Sequence, residues 1–133
     1  MERRVQRSAI VLGLMLGVLF FLSPRAGWTE ESNYTQSLQR GKELFSSGNY
    51  ERAIEELKRA IALRSDQAET YFILGVVYAR TGRNDLARES FVKVVELEPD
   101  NAQAHNNLGV IYESMGLFDL AQEELNKALQ ADP

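Results

Sequence analysis

One histidine, His105, is the only imidazole in this 133-residue chain, and there is no cysteine. The sequence therefore offers no thiolate nucleophile, disulfide framework or Cys-based metal site, and a lone imidazole does not hold zinc. Two adjacent acid pairs, Glu55-Glu56 and Glu123-Glu124, lie among Lys58, Arg59 and Lys127. The spacings Glu55–Lys58, Glu55–Arg59 and Glu123–Lys127 are i, i+3 and i, i+4, the pattern of a solvated helix face with opposite charges one turn apart. No Ser/His/Asp set, phosphate-binding loop or calcium loop is present. These residues predict a chain that is not an enzyme and that carries no metal and no cofactor.

Charge narrows the class of partner. Of the residues from 28 onward, 18 are acidic and 11 basic. A net-acidic domain repels phosphate backbones, so nucleic acid is excluded as a partner. The basic excess sits at the other end: Arg3, Arg4, Arg7 and Arg25 flank Ala9–Leu22, a run with no polar side chain. Ser23-Pro24-Arg25-Ala26-Gly27 then breaks the run. Basic, apolar and small-residue stretches in that order form an export signal. The run is short for a bilayer span, which takes about 20 apolar residues. Cleavage after Ala26 or Gly27 would leave Pro24 or Arg25 three residues back, neither of them the small residue a cleavage site wants. Two outcomes stand, a removed signal peptide or an uncleaved anchor with its basic end in the cytoplasm. Both put residues 30–133 outside the cytoplasm, in the periplasm or on the periplasmic side of the inner membrane. Gly13 and Gly17 make a G-x-x-x-G that lets spanning helices approach closely, although two glycines in a leucine-rich run also arise by chance.

The element that must position any functional side chain appears when the sequence is laid against itself so that Gly41 falls on Gly75. Gly109 then aligns with both, as do Gly48, Gly82 and Gly116 with one another, then Ala53, Ala87 and Ala121. Larger apolar residues follow in register: Leu44, Tyr78, Tyr112; Leu57, Phe91, Leu125; Ile61, Val95, Leu129. Ser65, Pro99 and Pro133 close the units, which are 34–67, 68–101 and 102–133. Each reads as a helix–turn–helix. Ser32, Asp66 and Asp100 are expected to cap the first helices, with Glu69 and Gln103 completing capping boxes and Thr35 a weaker version. Gly48, Gly82 and Gly116 are expected to end those helices in the left-handed conformation. Second helices are expected from Tyr50, Asn84 and Phe118 to Leu63, Leu97 and Ala131. Gly75 and Ala87 suit a close helix crossing, with Leu74, Tyr78 and Phe91 around it.

These residues resemble the tetratricopeptide repeat, W-x2-L-G-x2-Y followed by A, F, A and P. Unit two supplies Tyr71, Leu74, Gly75, Tyr78, Ala87, Phe91, Val94 and Pro99. Unit three supplies His105, Leu108, Gly109, Tyr112, Ala121, Leu125, Ala128 and Pro133. Unit one keeps Gly41, Leu44, Ala53, Leu57 and Ala60 but has Ser37 and Arg40 where large apolar residues belong; outermost repeats are often atypical. The resemblance implies an all-α fold, a right-handed superhelical stack of three units, behind a separate apolar N-terminal helix within residues 1–29. It makes His105 a packing residue at an aromatic position.

The resemblance also implies that the first helices line a concave groove gripping a peptide or partner helix. The matching positions are Leu38, Lys42 and Phe45; Glu69, Phe72, Val76 and Arg80; and Gln103, Asn106, Asn107, Val110 and Glu113. Some of these pack against neighbouring first helices instead, with Val76 and Val110 balanced between the two roles. The basic clamp by which some relatives hold acidic chaperone tails is absent, with Leu38, Ile73 and Gln103 at matching positions. Of an asparagine ladder found in others, only Asn107 stands; Gln39 and Ile73 occupy the other rungs. The sequence stops where a further first helix would begin, so the last helix is expected to leave Leu125, Ala128 and Leu129 partly uncovered. Such an edge meets a partner or a second copy. The resulting expectation is a non-enzymatic adaptor assisting assembly of cell-envelope complexes. The alternative is a membrane-anchored structural or regulatory subunit of such a complex.

Overall fold

Three glycines decide where each pair of helices bends. Gly48, Gly82 and Gly116 adopt φ of 77°, 71° and 75°, a region that costs an L-residue about 1–2 kcal/mol. Nothing lies within 4 Å of where a Cβ would stand at any of them, so glycine is required there by backbone conformation and not by lack of space. The computed structural model describes residues 26–133, with side chains from residue 29. Those residues form six helices and, among the described residues, no strand: α1 (Ala26–Ser46), α2 (Tyr50–Leu63), α3 (Ala68–Arg80), α4 (Asn84–Leu97), α5 (Ala102–Ser114) and α6 (Phe118–Ala131). The chain is thus an all-α stack of helix–turn–helix units, and the second helices have the bounds that the repeat predicts.

Close packing of each pair depends on a second set of glycines. A Cβ on Gly75 would stand 2.9 Å from the Phe91 ring, and one on Gly41 or Gly109 would meet Leu57 at 2.8 Å or Leu125 at 2.7 Å. The large side chain of the second helix lies against the bare backbone of the first. Leu57 and Phe91 are sealed, at 0% and 1% exposure. Burying side chains of that size stabilises by roughly 1.5–3 kcal/mol each relative to leaving them in water. The core then runs between units, from Tyr34 and Leu38 through Leu74, Val77 and Tyr78 to Leu108 and Ile111.

Helix starts differ from expectation. α1 is already helical at Ala26, the first described residue, so Ser32 lies inside the helix and caps nothing; residues 26–46 contain no proline that would interrupt it. In α5 the cap is Asn101, one residue beyond Asp100, and its side chain accepts from the Ala104 N–H at 2.9 Å. In α3 the cap position is Gln67, without a side-chain bond, because Asp66 is engaged otherwise: Gln67 Nε2 donates to its carboxylate at 3.0 Å and Arg64 stands at 3.5 Å. Those partners hold the Asp66 carboxyl below the usual range, the Gln67 bond contributing most. No described helix is long and apolar enough to cross a membrane. The apolar run at 9–22, with Gly13 and Gly17, lies outside the described residues.

Candidate functional site: the first-helix face and the open end

α1, α3 and α5 lie side by side. Tyr34 on α1 and Thr70 on α3 share a buried hydroxyl–hydroxyl bond of 3.0 Å, and Lys42 on α1 pairs with Glu69 on α3. Ala68 on α3 and Ala104 on α5 belong to one buried cluster with Val94 of α4. The sequence-predicted groove residues fall on these helices in graded fashion. On α1, Leu38 is 7% exposed and belongs to the core, with Ser37 beside it buried at 5%. Phe45 is half-buried, its ring 6.0 Å from that of Tyr50. Lys42 and Glu69 mute each other's charge through their pairing, and an exposed pair of this kind adds little stability.

On α3, Phe72 is half-buried with its ring edge-on to Phe91 at 5.6 Å, a favoured aromatic geometry. Val76 is half-buried, and Arg80 is exposed. On α5, Gln103, Asn106, Val110 and Glu113 are exposed, Val110 by 52%. Asn107 is half-buried and turns its amide to the Gln103 carbonyl at 2.8 Å, the bond of a local helix contact. Among these residues the exposed ones are therefore on α5 and at the two ends of α3, Glu69 and Arg80. No described residue forms an ion pair with Arg80 or Glu113, so they are the charges this face presents to a ligand.

One cleft unites two features that the sequence presented separately. It measures about 750 Å³ and is lined by the groove residues Phe72, Gln103, Asn106 and Asn107 together with Leu125, Ala128 and Leu129 of the last helix. Ala102, Gln122 and Asp132 complete its wall; no pattern in the repeat marks these three. Leu129 is 65% exposed. A further apolar side chain, Phe118, is bare at 70%. Its counterpart in unit one, Tyr50, is covered by Phe45, and the corresponding partner in unit three is Glu113. That substitution was readable in the repeat alignment.

His105 sits at the aromatic position and is 6% exposed. Its Nε2 donates to the Pro99 carbonyl at 2.7 Å. Tyr71, at the same position of the preceding unit, makes the same bond with its hydroxyl to the Ser65 carbonyl at 3.1 Å. Both side chains tie the start of a first helix to the residue closing the preceding unit. The other ring nitrogen, Nδ1, faces Glu124 Oε2 at 2.6 Å. Burial acts to raise the Glu124 pKa, but the bonds from His105 and Lys127 outweigh it, and the group stays below the usual carboxylate range. Each ring nitrogen has an oxygen within hydrogen-bond distance, Nε2 the Pro99 carbonyl and Nδ1 the Glu124 carboxylate. The imidazole is thus fully engaged in structure. Among the described residues, no group of three or more His, Cys, Asp or Glu side chains is placed to hold a metal ion.

Known proteins show the same architecture. The family model described as TPR repeat matches residues 41–82 and 77–116, and the one described as Tetratricopeptide repeat matches residues 102–133. No curated protein matches the chain. Among solved structures, MamA is 33% identical with a TM-score of 0.73, over 74% of this chain and 58% of MamA. YrrB, described as a TPR protein with an unusual peptide-binding site, is 30% identical with a TM-score of 0.71, over 75% of this chain and 52% of its own. The second TPR of Spaghetti (RPAP3), solved with the HSP90 peptide SRMEEVD, has a TM-score of 0.73 over 78% of this chain and 98% of its own, at 21% identity. At that identity the likeness concerns the fold alone. The chain spans little more than half the length of MamA and of YrrB.

Proposed function

Because the chain belongs to the tetratricopeptide repeat family, we propose that it is a non-enzymatic interaction scaffold whose first-helix face, from Arg80 across Val76 to Val110 and Glu113, holds a peptide segment or helix of another protein. The observation that carries this reading is the exposure of Val110 at 52%, on first helices that also carry two exposed charges of opposite sign without an ion pair among the described residues, Arg80 on α3 and Glu113 on α5. An apolar centre with ionic flanks suits a segment in which an apolar side chain lies between an acidic and a basic one. The peptide-binding site ascribed to YrrB supports the same reading. A fold of this kind positions side chains for recognition, and function follows from the surface it displays.

The setting of the scaffold belongs to the same proposal. The basic, apolar and small-residue order of residues 1–27 favours export, with the repeats in the periplasm, freed by cleavage or held at the inner membrane by the apolar run. In that compartment the chain acts as an adaptor in envelope-complex assembly or, if the run is retained, as an anchored structural or regulatory subunit. The exposed apolar side chains of α6, Leu129 foremost, are where a further partner or a second copy meets it.

A photo-crosslinking residue at Val110 or Arg80, compared with one at Glu55 or Lys58 on the outer helix, tests the binding face in cells. Adducts of one discrete protein at the first pair and none at the second are expected; equal labelling at all four overturns the reading. The intact mass of the purified protein tests the setting: a chain beginning near residues 26–30 is a cleaved exported form, and one keeping residues 1–22 in the membrane fraction is an anchored subunit. A full-length chain in the soluble cytoplasmic fraction contradicts both.

A further inference from the structure

The three turns that join paired helices share one backbone. Asn49, Arg83 and Leu117 stand at the same point of it, with φ of −83°, −88° and −93° and ψ of 64°, 65° and 65°. Their N–H groups donate to the carbonyls of Leu44, Tyr78 and Tyr112 at 2.8, 2.9 and 2.9 Å. With the backbone held constant, the units serve as controls for one another, and what differs at this edge is the side chains.

Those side chains change along the stack. Unit one carries Asn49 and Arg52, unit two Arg83 and Leu86, and unit three Leu117 and Leu120. All six are exposed. In units one and two they are exposed although α3 and α5 follow, so exposure is a property of these positions in the repeat, whatever comes next. Phe118 is different and is left out of the surface: Asn84, its counterpart, is half-buried and donates to Ser114 of the following helix at 2.9 Å. Leu86, Leu117 and Leu120 are 40%, 40% and 44% exposed. The same fold accepts Arg52, Asn49 and Arg83 at their positions, so packing does not require the leucines. Exposed apolar side chains grouped in this way mark an interaction surface.

The charges change with them. At the first junction Arg83 pairs with Glu51 of the preceding unit. At the second, Leu117 takes the place of Arg83 and Asp85 that of Glu51, so the cross-unit pair is gone and Leu117 stands beside a carboxylate. Among the described residues the cation left to Asp85 is Arg88 of its own helix, at 3.7 Å, and the Asp85 side chain is 76% exposed. One unit on, Asp119 is exposed beside Leu120, and Gln122 replaces the arginine. The leucines are therefore flanked by carboxylates at both units. Such a strip is matched by aliphatic side chains flanked by lysine or arginine, whose stems lie on apolar surface while their charged heads reach the carboxylates. An anionic membrane surface is repelled by the same carboxylates, and a second copy presenting the same edge sets acid against acid. We infer that the turn edge of units two and three, from Leu86 across Leu117 to Leu120, docks a basic amphipathic helix of another protein. The inference uses no residue of the first-helix face and stands apart from the peptide site there.

The test titrates the purified full chain against a fluorescent leucine–lysine helix of about four turns, with its leucines on one face, and against the same helix with glutamate for lysine. Saturable binding of the lysine form alone is expected. Leu117→Arg weakens it roughly tenfold and Asp85→Asn about threefold. Val110→Arg, and Glu55→Gln on the outer helix of unit one, leave it unchanged. Arginine at 117 copies Arg83 in unit two, so that variant folds; Leu120→Arg, which copies Arg52 in unit one, is a second variant with the same safeguard and loses affinity likewise. Circular dichroism verifies both. Absence of saturable binding, equal binding of the two helices, or binding indifferent to Leu117→Arg overturns the docking edge. A dimer in sedimentation that Leu117→Arg dissolves makes the occupant a second copy, and retention on anionic vesicles that the same variant abolishes makes it lipid; either overturns the partner helix. Failure of the crosslinks at Val110 with these results intact would sink only the first-helix site.

Discussion

At the scale of single residues, two kinds of glycine do different work, and substitution separates them. Gly75→Ala places a methyl against the Phe91 ring, and overpacking of that kind costs about 1–3 kcal/mol, less the roughly 1 kcal/mol that alanine returns in helix propensity. Gly82→Ala meets no neighbour but retains the left-handed φ, costing about 1–2 kcal/mol. Combining Gly75→Ala with Phe91→Leu recovers part of the first loss, whereas Phe91→Leu does nothing for the second; urea melts of the four variants check this. The Glu124 carboxyl, held below its ordinary range against burial by its bonds from His105 and Lys127, makes a pH prediction. A carboxyl held below its ordinary value in the folded state stabilises the fold above its unfolded pKa, and that contribution fades as pH falls through the folded one. Thermal melts from neutral to acid pH are expected to show a loss on the acid side that Glu124→Gln flattens. An acid limb unchanged in the variant contradicts the assignment. The imidazole's position was legible as a packing site, but its carboxylate partner was not: Glu124 lies on another helix, and neither spacing nor repeat register links the two.

At the scale of helices, stops were more legible than starts. A glycine is the cheapest residue with positive φ, so Gly48, Gly82 and Gly116 mark helix ends unambiguously, and the following helices begin where the repeat places them. Capping residues compete with one another. Asp100 and Asn101 are both good caps in sequence, and only geometry selects the Asn101 side chain, whose oxygen reaches the Ala104 N–H. Asn101→Ala should therefore cost about 1 kcal/mol, while Asp100→Ala should stay within about 0.5 kcal/mol. Equal losses in the two denaturant titrations would place the cap at Asp100 after all. The groove residues on α1 illustrate the other limit. The family pattern assigns Leu38 a groove position, but at 7% exposure it lies in the core, which its position in the repeat does not reveal.

At the scale of the whole molecule, the number and register of units were legible because one period, repeated without insertion, leaves little freedom in how hairpins stack. The merging of the first-helix face with the exposed side of α6 was not legible. It arises from Phe72, Gln103 and Asn106 meeting Leu125 and Leu129 across helices, which no linear spacing shows. The measurement closest to the central claim is selection of random peptides on the immobilised full chain, followed by titration of the tightest one against Val110→Arg, Arg80→Glu and the outer-face control Lys58→Glu. A peptide that binds saturably, loses at least tenfold in affinity with the first two variants and ignores the third is the result expected of an interaction scaffold that works through its first-helix face. A chain that selects no peptide, or one whose peptide is indifferent to Val110 and Arg80, would contradict it.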